Sequence, residues 1–127
     1  MARLTLLLLI HIMGDYFLQG NKVNGQKAIK LVFLCKHVGI YTALFIAISP
    51  FVLGLTFLQG LAFSLINGSM HFVIDYYSSK FKIKYYEMNE SKYNVTVVLN
   101  HSLHLIILIV TYLYIFPNAI NAEYLIT

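Results

Sequence analysis

The chain is 127 residues long, 59% of them hydrophobic and 11% charged, with a mean hydropathy of +0.73. A soluble domain is about half apolar and about a quarter charged, so this composition excludes an ordinary soluble fold and places residues 1–127 in a membrane as a single domain. Its one cysteine, Cys35, excludes an internal disulfide, and its net charge of +4 comes from lysines gathered in loops, which argues against a nucleic-acid partner.

Four apolar segments follow one another, and a span needs roughly 20 residues. The first, about residues 4–19, reads "LTLLLLIHIMGDYFLQ". Arg3 before it suits a signal peptide, but no small-residue cleavage site follows, so a retained, tilted transmembrane helix is expected. The second covers about 29–49 and is expected to stop at Pro50, which cannot donate a helical hydrogen bond. The third covers about 51–79, and the fourth about 95–116, ahead of Pro117. Short connections predict an all-α integral membrane protein, an up-down-up-down bundle of four transmembrane helices.

The connection after the first helix holds Lys22, Lys27 and Lys30; the one after the third holds Lys80, Lys82, Lys84 and Lys92. Positive charge stays on the cytoplasmic side, so both lysine-rich loops are expected there and both termini outside. Tyr76, Tyr77, Tyr85 and Tyr86 read as an aromatic belt on the lysine side, and "KFKIKYYE", residues 80–87, as a linker hugging the interface.

Two of the five acidic residues, Asp15 and Asp75, fall inside apolar segments, and each follows a histidine by four positions, His11 and His71. Residues four apart share a helix face. The second segment carries His37, and the fourth carries His101 and His104. Counted at about 1.5 Å per residue, His11, His37, His71 and His104 all lie roughly 12–14 Å in from the lysine side. The two hairpins match each other, His-x-x-x-Asp then His, and read as a tandem repeat about an axis along the membrane normal.

Imidazole and carboxylate together form the ligand set of zinc, manganese or iron, and a divalent ion, zinc first among them, would offset the cost of carboxylates at this depth. The expected ligands are His11, Asp15, His37, His71, Asp75 and His104, with Asp15 or Asp75 as the catalytic base. The alternative is that the His-Asp pairs only lock helices together by hydrogen bonds. Asn67, one turn before His71, is placed to bond a ligand, and Lys36 either snorkels or holds an anion near His37.

The stretches "LLLIHIMGDYFLQGNK", "KHVGIY" and "NGSMHFVIDYYSSK" resemble the small bacterial and phage membrane proteins of domain-of-unknown-function family 3307. The resemblance covers most of the chain and places the family's pattern on His11, Asp15, Gln19, His37, Asn67, His71, Asp75 and His104. In the fourth helix "NHSLH" departs from it, with Asn100 and His101 standing where the family has Asp-Gln; these two join Gln19 among residues expected around the ligands or the substrate. The resemblance extends to bacterial inner-membrane proteins described as metal-dependent hydrolases, which implies that location and that chemistry.

The leading functional expectation is therefore a membrane-embedded, metal-dependent hydrolase acting on a lipid-linked or amphiphilic substrate from the cytoplasmic leaflet. A metal-ion or proton transporter is the runner-up, although little polar lining lies between Arg3 and His11. A b-type cytochrome is disfavoured because all four histidines share one depth. A non-enzymatic membrane partner with a structural His/Asp cluster, or a homo-oligomer, stays open.

Overall fold

The computed structural model describes residues 2–17 and 31–115. These residues form four helices: α1 (Ala2–Phe17), α2 (Leu31–Leu53), α3 (Phe57–Tyr86) and α4 (Glu90–Val110), the last continued by a π-helical turn at Thr111–Ile115. Among the described residues there is no strand. Three stretches, Leu31–Leu53, Phe57–Tyr86 and Glu90–Leu113, are long and apolar enough to cross a membrane. Large apolar side chains face outwards along them, Val32, Phe51, Leu58 and Val98 among them. A soluble protein would hide such surface; lipid solvates it.

Neighbouring helices run antiparallel. Along α2 and α3 the contacts pair His37 with His71, Thr42 with Gly68 and Ser49 with Ser64, so one number rises as the other falls. Ser78 with Asn100 and Asp75 with His104 give the same sense for α3 and α4, and Arg3 with Leu53 and Asp15 with His37 give it for α1 and α2.

The turn between α2 and α3 lies four residues later than Pro50 suggested. Pro50 sits inside α2, which runs on to Leu53. Beside Pro50, Ser49 bonds both the Gly60 carbonyl and the Ser64 hydroxyl, tying this last turn of α2 to α3. The helix stops instead at Gly54, whose φ of +66° is the left-handed cap that side-chain-bearing residues disfavour. Arg3 donates to the freed Leu53 carbonyl at 3.4 Å, tying the start of α1 to this end of α2. Thr56 then opens α3 with a capping box to Gln59.

The other boundaries also move. α3 does not end near residue 79; "KFKIKYYE" is helical through Tyr86, with Glu87 as its cap. α4 begins at Glu90 rather than near residue 95, because the Asn89 side chain accepts from the Lys92 amide and caps it. Lys80 lies over the Tyr76 ring at 4.3 Å, and Lys84 and Lys92 flank Tyr85, joining the aromatic belt to the lysines. Gln19, Lys22, Lys27, Lys30 and Pro117 lie outside the described residues.

Close approach of α2 and α3 depends on Gly68: a Cβ there would overlap the Thr42 hydroxyl. Towards the Gly54 end the helices close on an apolar core of Leu7, Tyr41, Phe45, Leu53, Leu55, Phe63, Leu108 and Tyr112. Directly beyond Tyr41, on the lysine side of that core, lie the buried histidines and carboxylates.

Candidate metal centre

Each polar residue reaches the interior because its helix turns that face inwards. Asp15 comes from α1, His37 from α2, and His71 with Asp75 from one face of α3; all four are buried. Each offers one ligand atom, and those four atoms lie within 4.8 Å of one another. His37 Nε2 is 3.1 Å from His71 Nε2. Asp15 Oδ1 is 3.2 Å from His37 Nε2 and 3.5 Å from His71 Nε2. Asp75 Oδ2 is 3.1 Å from His71 Nε2 and 3.7 Å from His37 Nε2.

Those spacings have a simple geometric meaning. A tetrahedral zinc ion with bonds of about 2.0–2.1 Å holds its ligand atoms about 3.3–3.4 Å apart. Five of the six separations, 3.1 to 3.7 Å, bracket that value, and the sixth, between the two carboxylates, is no more than 4.8 Å. Hydrogen bonding alone accounts for the cluster less well. Two Nε2 atoms carry at most one hydrogen each, and if both carry one the 3.1 Å nitrogen pair is repulsive. Two carboxylates also share this small buried volume, and a divalent cation would neutralise both in their ionised form. The donor set, two imidazoles and two carboxylates, suits zinc, manganese or iron.

The other expected site residues stand around this group rather than in it. His104 was expected as a ligand; its Nε2 instead contacts the far oxygen of Asp75, Oδ1, at 3.0 Å, while its ring stacks on His71 with centroids 4.0 Å apart. His11 was expected as a ligand too; its Nδ1 shares a hydrogen bond with the Tyr41 hydroxyl, and its ring meets those of His71 and His104 at 6.1 and 5.8 Å. His101, half exposed, brings Nδ1 to 3.2 Å from Asp15 Oδ2. Asn100 is buried and accepts from Ser78 at 2.8 Å. Asn67 is buried, but its amide donates to the Phe63 carbonyl one turn back, not to a cluster member. Lys36 is exposed: one residue along a helix turns by about 100°, so the residue beside buried His37 points away from the cluster. Gln19 lies outside the described residues.

Tyr41 is the site residue that sequence reasoning missed. Besides meeting His11, its ring stacks on His71 with centroids 4.3 Å apart. Its spacing of four from His37 was the available signal, hidden because an aromatic in an apolar run reads as ordinary core. Ser78, three residues past Asp75, was likewise missed; it is the donor to Asn100.

No curated protein and no solved structure matches the chain. The profile of one family, described as protein of unknown function (DUF3307), matches residues 3–127, nearly the whole length. The chain belongs to this family of uncharacterised function.

Proposed function

We propose that this protein is an integral membrane protein that binds a divalent metal ion, zinc foremost, through Asp15, His37, His71 and Asp75. The observation that carries the reading is the convergence of four buried ligand atoms from three different helices to within 4.8 Å of one another. In this reading α1 crosses the membrane with the other three helices, in two matched hairpins. Both termini lie outside, and the lysine-bearing connections face the cytoplasm of a bacterial cell, across its inner membrane.

The activity class that suits the centre is metal-dependent hydrolysis of a lipid-linked or amphiphilic substrate. A bound divalent ion would supply Lewis acidity and lower the pKa of a water molecule. Four protein ligands make a closed site, so turnover requires one of them to give way. Asp15 is suited to that role, because its outer oxygen meets the half-exposed His101, whereas Asp75 is backed by buried His104. If it gave way, Asp15 would be placed to act as general base, and release of its His101 contact would accompany that change. A transport path has less support: the buried layer of Leu7, Phe45, Phe63 and Leu108 closes the Gly54 side of the cluster among the described residues.

Elemental analysis of detergent-purified protein tests the metal reading. Wild type is expected to carry about one zinc, manganese or iron per chain, and His71→Ala and Asp75→Ala to carry little. Unchanged metal content in both variants sinks it.

A further inference from the structure

We infer that α4 gives the metal centre no ligand but two orienting histidines, His101 holding Asp15 and His104 holding Asp75, each by the carboxylate oxygen turned away from the His37–His71 pair. This rests on the metal reading above and assigns the arrangement that sustains it. Both carboxylates turn one oxygen inwards and one towards α4, Asp75 through a hydrogen bond and Asp15 through an ion-pair contact that needs only a small ring rotation to align. Asp15 turns Oδ1 to His37 and His71 and leaves Oδ2 to His101 Nδ1 at 3.2 Å. Asp75 turns Oδ2 to His71 and His37 and leaves Oδ1 to His104 Nε2 at 3.0 Å.

A carboxylate can rotate about its last bond and offer one oxygen, both or neither. A donor fixed on the outer oxygen selects the one-oxygen arrangement that a tetrahedral site needs, and it does so before the ion arrives. In many metal sites a carboxylate orients a ligating histidine. Here the relation is reversed. Nδ1 of His37 and Nδ1 of His71 have no hydrogen-bond partner among the described residues, whereas each carboxylate has a histidine ring nitrogen behind it, a hydrogen bond at 3.0 Å for Asp75 and an ion-pair contact at 3.2 Å for Asp15. His101 and His104 are three apart, hence on one face of α4, and that face meets carboxylates from α1 and α3 together. His104 is fixed in turn by its stack on His71, 4.0 Å between centroids and 18° between planes.

The test uses the full chain in detergent, with zinc as the probe and a competing chromogenic chelator reporting affinity. His101→Ala and His104→Ala are expected to weaken zinc binding by about 10- to 100-fold, with the wild-type stoichiometry regained at saturating zinc. His101→Asn puts an amide nitrogen near the position of Nδ1, and His104→Gln puts one near that of Nε2. Both are expected to recover most of the lost affinity, which a side chain serving only as packing or as a ligand would not allow. If wild type binds zinc and an alanine variant binds it equally well, the orienting role is wrong while the metal reading stands. If the amide variants are no better than alanine, the orienting role is also wrong. If wild type binds no zinc, both fall together.

Discussion

His71→Phe separates a metal site from a helix-locking cluster. Phenylalanine keeps a flat ring between Tyr41 and His104, whose centroids lie 4.3 and 4.0 Å from that of His71, but it removes Nε2. That nitrogen is the most central of the cluster, 3.1 Å from His37, 3.1 Å from Asp75 and 3.5 Å from Asp15. Zinc held by four protein ligands is worth about 10–16 kcal/mol, so one ligand in four is worth about 2.5–4 kcal/mol, or roughly 10²–10³ in Kd. Zinc at about 100 times the wild-type Kd stabilises the folded protein by about 2.7 kcal/mol; the same zinc would stabilise the variant by less than about 0.5 kcal/mol. The assay is thermal unfolding in detergent with and without zinc. Wild type is expected to show a zinc-dependent rise in midpoint, and His71→Phe almost none. A purely structural cluster gives no rise in either protein, and a variant that keeps the full rise refutes His71 as a ligand.

Tyr41→Phe removes the hydroxyl bonded to His11 and is expected to cost about 0.5–1.5 kcal/mol in thermal unfolding while leaving zinc stoichiometry at the wild-type value, since Tyr41 offers no ligand atom. Gly68→Ala drives a Cβ into the Thr42 hydroxyl and should cost about 1–3 kcal/mol by forcing α2 and α3 apart; adding Thr42→Ala should recover part of this, and an unchanged melting midpoint for the single variant would contradict the close approach. With Cys35→Ser as background, a cysteine replacing Met88 in the α3–α4 turn is expected to react with a membrane-impermeant maleimide only from the cytoplasmic side, and one replacing Phe57 at the start of α3 only from outside. The reverse pattern would invert the topology.

Much of the architecture was readable because long apolar runs at helical spacing leave few alternatives. Long apolar runs announced the helices, and the spacing of four in His11-Asp15 and His71-Asp75 announced polar faces at one depth. What stayed hidden was rotation and contact. A shared face does not say which residue of a pair reaches the centre: on α3 both His71 and Asp75 do, on α1 Asp15 does, and His11 turns to Tyr41 instead. Nor does depth distinguish His104, which meets only the outer oxygen of Asp75, from His37, which lies between both carboxylates. The α2 boundary was misplaced because Pro50 is the louder signal, whereas the backbone reverses only at Gly54, where a positive φ is needed. Lys36 follows the snorkelling alternative: it is exposed, because adjacent positions on a helix face different ways.

X-ray absorption at the zinc edge of protein purified with zinc decides whether Asp15, His37, His71 and Asp75 together hold one ion. One ion per chain is expected, surrounded by about four nitrogen and oxygen atoms at about 2.0–2.1 Å, with imidazole scattering from two rings and no sulfur at about 2.3 Å. A sulfur shell from Cys35, a spectrum of hydrated zinc, or imidazole scattering that survives replacement of both His37 and His71 would contradict it.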